Sequence, residues 1–575
     1  MKVKAIKSLL QQKNIFFISV FSLMIPPMIL SVTEPLFFTS RIASVLVPLG
    51  AYVFILSILR KPGYMITVLF PIMLLNAFQL VLLWLFGGSV VAPNMYTNLV
   101  ISNSSEAGEL LKNLWLPVLL VSLIYFSVLG LGVYSFRIPD IPYAWRRKVV
   151  LRSLFIFLTG LAFAGISKAR NPEYALKYDV FPANAIHNLD YAIQKWNQNK
   201  NHAQLSSGFS FQAVKTNHAD TREIYMLVLG EASRACNWNL FGYERETNPL
   251  LKNHEGLFLF SDVMTESNTT FKSIPIILSA VNASRYEDLY QQKSLVTAFK
   301  EAGFKTLFAS NQAPNKTITD AFSHEADENL NFTKTSEKSG ILNHLPDAQM
   351  FPEIRRFLDS EQGDLLIVVH TYGSHFDYKE RYPEAYAVFQ PDSAMLAGPN
   401  DRAVLVNAYD NSIVYTDFVI HSLIDMLKES GSASALMYIS DHGEDLLDDK
   451  RQLLLHSSPH PTYYQLHVPM LLWFSESFQQ NFQDKVNEAA RHKEAPVTSS
   501  VVFHSLLDIA SIRTPFADSS LSVVSPALSI QKRMYLNDYD QAIDFIEAGL
   551  KAEDIEMLKK QHIYFKENQD KESLQ

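Results

Sequence analysis

Hydrophobic positions fall into two unlike patterns along the chain. Before residue 170 they gather into long uninterrupted runs, and after it they come in short runs of strand length separated by polar or amphipathic stretches. The long runs predict five membrane-spanning helices at about 15–33, 37–59, 64–86, 115–136 and 149–167. Each is close to the ~20 residues a helix needs to cross the hydrocarbon layer. Pro26-Pro27 interrupts the first run, which membrane helices tolerate better than soluble ones. No small-residue cleavage site follows it and more spans come at once, so it does not read as a signal peptide.

Basic residues orient these spans. Lys2, Lys4, Lys7 and Lys13 precede the first, Arg60 and Lys61 follow the second, and Arg137, Arg146, Arg147 and Lys148 lie between the fourth and fifth. All three segments share one side, which the positive-inside rule makes the cytoplasm. The loop at 87–114 carries only Lys112 as a basic residue and falls outside, with Arg41 a lone counter-example. Five crossings then place everything after about Lys168 outside the inner membrane, which in a bacterium is the periplasm. No charge sits in the middle of a span, which speaks against a transport pathway.

Residues 169–222 read as a connector. Ile186, Leu189, Ile193 and Trp196 fall at helical spacing. They predict an amphipathic helix, either lying on the membrane surface or packed on the domain that follows. From 223 to 575 strands and helices alternate. Strands are predicted at 224–230, 257–263, 305–309, 364–370, 435–440 and 468–474, and helices at 273–282, 294–302, 404–428 and 499–510. This alternation predicts an α/β domain whose mostly parallel sheet is covered by helices on both faces. The resulting division is a membrane domain over 1–168, the connector, and an outer catalytic domain over 223–575 with a charged tail after about 550.

Composition changes the picture little. A chain of 575 residues exceeds one hydrophobic core. The net charge of −8 comes from well-mixed acids and bases and points to no class of partner. Cys236 is the only cysteine, which excludes an intrachain disulfide, and it reads as a small buried residue.

The candidate chemistry sits where apolar runs stop. Tyr225–Leu229 ends in Gly230-Glu231, Ala435–Ser440 in Asp441-His442-Gly443-Glu444, and Leu365–Val369 in His370-Thr371-Tyr372-Gly373-Ser374-His375. Ligands of open α/β sheets bind just past the carboxyl ends of strands. A buried carboxylate there needs a cation partner, and a set of Glu, Asp and His suits zinc. Ser267-Asn268-Thr269-Thr270-Phe271-Lys272-Ser273-Ile274-Pro275 leads into another apolar helical run. Thr270 at that helix start is either an N-cap or a hydroxyl activated by a metal and the helix terminus, ready to attack.

Gly230-Glu231-Ala232-Ser233-Arg234, followed by Leu240-Phe241-Gly242-Tyr243-Glu244-Arg245-Glu246-Thr247-Asn248-Pro249, resembles the opening motif of bacterial phosphoethanolamine transferases. These are inner-membrane members of the sulfatase and alkaline-phosphatase superfamily. Thr270 with Ser273 and Pro275, His370 to His375 before Arg381-Tyr382-Pro383, Ala408 to Asp417, Ser440 to Glu444, Leu455-His456 and His467 to Met470 extend the match. The resemblance implies that Glu231, Thr270, Asp441 and His442 hold one tightly bound zinc ion, with Thr270 as nucleophile. It implies that His375 and His456 hold the donor phosphate, and leaves open a second zinc ion there. His370, Arg234 and Asn411 are weaker candidates.

The implied reaction takes phosphoethanolamine from phosphatidylethanolamine through a phosphothreonine-type intermediate to lipid A, core oligosaccharide or another envelope acceptor. Thr269 beside Thr270 leaves the nucleophile slightly open. The stretch after Glu444 departs from the lipid A–modifying members, which puts the acceptor in doubt rather than the chemistry. Rival readings are a phosphoglycerol transferase or phosphodiesterase of the same superfamily and a non-catalytic membrane sensor. A sulfatase would need a Cys or Ser opening a C/S-x-P-x-R stretch, which neither Cys236 nor Ser273 provides.

Overall fold

The structure, a computed structural model, describes residues 11–335, 342–343, 345–393 and 401–563. Lys2, Lys4 and Lys7 and the end of the charged tail lie outside the described residues. Two compact units make up the chain, one from residues up to Thr97 with Leu111–Gln194, the other from Asn98–Leu110 with Lys195 onward. These boundaries differ from those drawn on the sequence. The loop at 87–114 contributes residues to the second unit, and most of the connector helix belongs to the first.

In the first unit, Gln12–Thr33, Phe38–Ile58, Trp115–Ser135 and Tyr143–Arg170 are each long and apolar enough to cross a membrane. The predicted span at 64–86 is instead a pair, Pro62–Val68 and Phe70–Phe86, bent by 61°. Pro71 accounts for the break, because it has no N–H to offer the Thr67 carbonyl one turn back. Pro26 and Pro27 stay inside the first helix, although they strip the amide donors from the carbonyls of Ser22 and Leu23. Neighbouring helices replace both donors: Tyr125 Oη donates to Ser22 O at 3.2 Å and Asn76 Nδ2 to Leu23 O at 3.3 Å. The connector helix forms over Ala183–Lys200. It buries Ala185, Asn188 and Ala192 and leaves Ile186, Leu189 and Ile193 exposed.

The second unit is built on seven strands, which we number β1 (Glu223–Gly230), β2 (Leu257–Phe260), β3 (Lys305–Ser310), β4 (Glu328–Asn331), β5 (Leu365–His370), β6 (Ala433–Ser440) and β7 (Met470–Phe474). Their order is β2-β7-β6-β1-β5-β3-β4. β6, β1, β5, β3 and β4 are parallel neighbours, and β7 runs antiparallel to both β6 and β2. Alternate residues of β1 feed opposite cores. Tyr225, Leu227 and Leu229 pack with Ile274, Ile277 and Leu506, while Ile224, Met226 and Val228 pack with Ile413, Ile420 and Ile354. Burial on both faces is why these strands read as unbroken apolar runs. The polar edge strand β4 escaped prediction, since only alternate positions of Glu328-Asn329-Leu330-Asn331 are partly covered.

Candidate active site

Parallel pairing brings the carboxyl ends of β1, β5, β6 and β3 to one edge of the sheet. Glu231 follows β1, Asp441 and His442 follow β6, and all three are fully buried. Thr270 opens the helix Thr270–Leu278. Its N-cap is Thr269, whose hydroxyl turns instead to Ser267 Oγ at 3.2 Å. Thr270 Oγ1 lies 3.2 and 3.4 Å from the Glu231 carboxylate oxygens and 3.1 Å from His442 Nε2. Of the two adjacent threonines, only Thr270 therefore turns its hydroxyl to the acids.

The donor set fits a cation. Glu231, Asp441 and His442 each offer a ligand atom within 4.8 Å of the others. Asp441 Oδ1 accepts from the backbone N–H of Ala232 at 3.0 Å and of His442 at 2.7 Å. Asp441 Oδ2 is buried, accepts no hydrogen bond among the described residues, and faces His442 Nε2 at 3.2 Å. His442 Nδ1 lies 2.9 Å from the Gly443 carbonyl. That carbonyl can only accept, so Nδ1 carries the proton and Nε2 presents a lone pair to the cluster. Burial and the Asp441 charge push the Glu231 carboxyl well above its ordinary range. Burial holds the His442 imidazole down at about 4. Two buried carboxylates, an imidazole lone pair and a hydroxyl facing one another call for a metal ion.

Gln312, two residues beyond β3, donates to Glu231 Oε2 at 2.8 Å and to Thr371 O at 3.1 Å. Sequence reasoning passed over it, although it stands past a strand end like the others. Gly373 adopts φ +51°, and a Cβ there would meet Glu231 N and O at 2.9 Å. Only glycine lets the loop after β5 lie against Glu231.

His375 and His456 form the wall beside this cluster. The His456 ring lies 4.1 Å from that of His442 and 6.2 Å from that of His375. His456 Nδ1 is 3.0 Å from Glu444 Oε1. Burial drives both partners toward neutrality, His456 down to about 3 and Glu444 up to about 8. His375 stacks on Tyr372 at 5.1 Å, and the Arg381 guanidinium covers the Tyr372 ring at 4.2 Å. Arg381 in turn pairs with Glu109, from the loop at 87–114, at 2.9 Å.

The weaker candidates have other partners. His370 is buried with Nδ1 3.4 Å from Ser310 Oγ. Arg234 forks onto Asp448 at 2.6 and 3.0 Å. Asn411 pins the backbone of Phe389, donating to its O at 3.0 Å and accepting from its N at 2.8 Å. Cys236 is partly buried, and burial lifts its thiol to about 11.

Comparison with known proteins places this architecture. Residues 223–512 match the Sulfatase family. The phosphoethanolamine transferase EptA of Escherichia coli K12 is 28% identical over 75% of this chain and 80% of its own length. For EptA of Salmonella typhimurium the match is 29% over 53% of this chain, and the chain spans only 56% of that protein. Among solved structures, the periplasmic domain of Escherichia coli EptC in complex with Zn is 29% identical, with TM-score 0.52, over 58% of this chain and 95% of that one. The integral membrane EptA of Neisseria meningitidis, 22% identical, shares the fold over 88% of this chain and 97% of that one, with TM-score 0.69. With its apolar helices and its sheet-edge cluster, this chain is a multi-pass membrane enzyme that belongs to the sulfatase family.

Proposed function

We propose that this enzyme transfers phosphoethanolamine from phosphatidylethanolamine to an acceptor of the bacterial envelope, in the periplasm and beside the outer leaflet of the inner membrane. The reading rests on one observation above the others: the Thr270 hydroxyl lies 3.1–3.4 Å from both Glu231 and His442 at the carboxyl edge of the sheet. The EptA relatives and the zinc-bound EptC domain support it. Glu231, Thr270, Asp441 and His442 would hold one zinc ion, which when bound would supply Lewis acidity to the reaction.

The chain's own groups carry the rest. Thr270 Oγ1 forms a bond to phosphorus as the bond to the glycerol oxygen breaks, so diacylglycerol leaves and phosphoethanolamine stays on the threonine. The hydroxyl proton passes to the His375 and His456 side of the site, because the Glu231 and His442 lone pairs face the metal position. His375 and His456 face the phosphoryl oxygens and return a proton to the leaving oxygen. An acceptor hydroxyl or phosphate on lipid A, core oligosaccharide or another glycan then attacks phosphorus as its bond to Thr270 Oγ1 breaks, and the same histidines carry a proton to that oxygen. Two half-reactions give ping-pong kinetics. Tethering the site to the membrane holds a lipid donor at high local concentration.

The test uses the full chain in detergent with headgroup-labelled phosphatidylethanolamine. Wild type should take label onto a peptide containing Thr270 and pass it to lipid A or glycan. Thr270→Ala should do neither while remaining folded. Transfer by Thr270→Ala, or label taken only from phosphatidylglycerol, would reject the assignment.

A further inference from the structure

A second cluster of ligand-type side chains lies at the opposite edge of the sheet. β2 runs parallel to β6 and β1, because both β2 and β6 are antiparallel to β7. His254 stands three residues before β2 begins, hence at the amino edge of the sheet. His421 and Asp425 lie on the helix Arg402–Glu429, which ends four residues before the start of β6. Glu231, Asp441 and His442 lie past the carboxyl ends of the same strands, so the two clusters are separate.

Here His254 Nε2 approaches His421 Nδ1 to 2.6 Å. His421 Nε2 lies 3.3 Å from Asp425 Oδ2, one helical turn on. The three residues each offer a ligand atom within 4.8 Å of the others. All three are partly exposed, so an ion can reach them from solvent. The hydrogen bonds form a one-way chain. Lys428 Nζ donates to His254 Nδ1 at 3.0 Å, which places the His254 proton on Nε2, pointing at His421 Nδ1.

We propose that His254, His421 and Asp425 form a metal site for a divalent transition ion of the zinc class, with water completing the shell. Two imidazoles and a carboxylate are the ligand types such ions select, at ~2.0–2.2 Å. Two bonds of that length at a tetrahedral angle hold the ring nitrogens about 3.3 Å apart. The ion therefore replaces the shared proton and parts the rings by a few tenths of an ångström each, and Asp425, which faces the other nitrogen of His421 at 3.3 Å, turns its carboxylate onto the ion to complete the set. With Nε2 on the ion, His254 carries its proton on Nδ1. Lys428, 46% exposed and 3.5 Å from Asp425, then swings to that carboxylate or to solvent. The ion would clamp the end of a long helix to the segment entering β2. The same helix supplies Tyr409, whose hydroxyl donates to Ala232 O at 2.7 Å beside Glu231.

The proposal does not depend on the transferase reading, and its test is arranged to keep the two apart. The full chain in detergent is stripped with chelator and titrated with Co2+ and Zn2+, reading ion count, visible Co2+ absorption and melting temperature. Wild type should bind one more equivalent than His421→Gln or His254→Gln. Each variant should lose at least tenfold in affinity at this site, together with its share of the Co2+ band and of the Zn2+-induced rise in melting temperature. Asp441→Asn should leave that equivalent and band in place. Asp425→Asn gives the same readout without altering either ring, should a histidine variant fail to fold. An ion count and Co2+ spectrum unchanged in the His254, His421 and Asp425 variants would overturn the proposal, as would Zn2+ binding lost in Asp441→Asn alone.

Discussion

Asn76 donates its side-chain amide to the carbonyl of Leu23, the one that Pro27 leaves without a helical donor. Tyr125 does the same for Ser22, one residue earlier, opposite Pro26. In hydrocarbon an unmet carbonyl has no water to turn to, so neighbouring helices must supply the bond. Asn76→Leu should cost about 1 kcal/mol, and Tyr125→Phe a similar amount, on unfolding in detergent. Pro27→Ala restores the missing N–H, so Asn76→Leu should cost less in that background. An equal cost in both backgrounds would rule out the pairing.

Arg234 and Asp448 make a buried fork at 2.6 and 3.0 Å. Arg234 also donates to the carbonyl of Glu444 at 3.1 Å, and Glu444 holds His456. Asp448→Ala leaves a buried guanidinium uncompensated, which costs about 3–5 kcal/mol. Replacing both partners, as Arg234→Met with Asp448→Leu, removes the charge as well as the bond and should cost less. Denaturant midpoints of the three proteins decide it. The double variant should still lose transfer activity, because the Glu444 carbonyl loses its partner.

Parts of this fold were legible in the sequence for a reason that also explains what was not. β1, β5 and β6 are buried on both faces, so their apolar runs stop where the chemistry begins, and Glu231, His370, Asp441 and His442 could be placed at strand ends. β4 sits at the sheet edge with polar residues, so no hydrophobic run announced it. The break near Leu69 follows from Pro71 in an otherwise continuous apolar stretch, and a hydropathy reading counts that stretch as one helix. The choice between Thr269 and Thr270 turned on which hydroxyl faces Glu231, which depends on the docking of two distant segments. Gln312, Asp448 and Glu109 find their partners only after loops far apart in sequence pack together, and local pattern carries no trace of that.

Asp417 makes a pH prediction. It is buried and accepts from the backbone N–H of Leu250 at 2.8 Å and of Leu251 at 3.1 Å. Burial raises its carboxyl from 3.8 to about 7. The folded value exceeds the unfolded one, so the contribution to stability is complete below about pH 4 and is lost as pH rises through about 7. A shift of that size corresponds to something on the order of 4 kcal/mol. Asp417→Asn is never charged, so its stability should gain on wild type as pH rises from 4 to 8. A difference between the two proteins that stays flat across that range would exclude the effect.

Metal removal should act on the fold as well as on the reaction. Stripping the ion leaves the Glu231 and Asp441 carboxylates buried together, with Asp441 Oδ2 unmet by any hydrogen bond among the described residues. An ion that binds only the folded state stabilises it by RT ln(1 + [L]/Kd), about 4 kcal/mol at a thousandfold excess over Kd. Chelated wild type should therefore melt lower, and Zn2+ should restore it. In Glu231→Gln one of the two buried charges is gone before any chelator is added. That variant should be inactive, yet chelation should lower its melting temperature by much less, leaving only the part due to other sites. If chelation lowered both proteins equally, Glu231 would have no share in holding the ion.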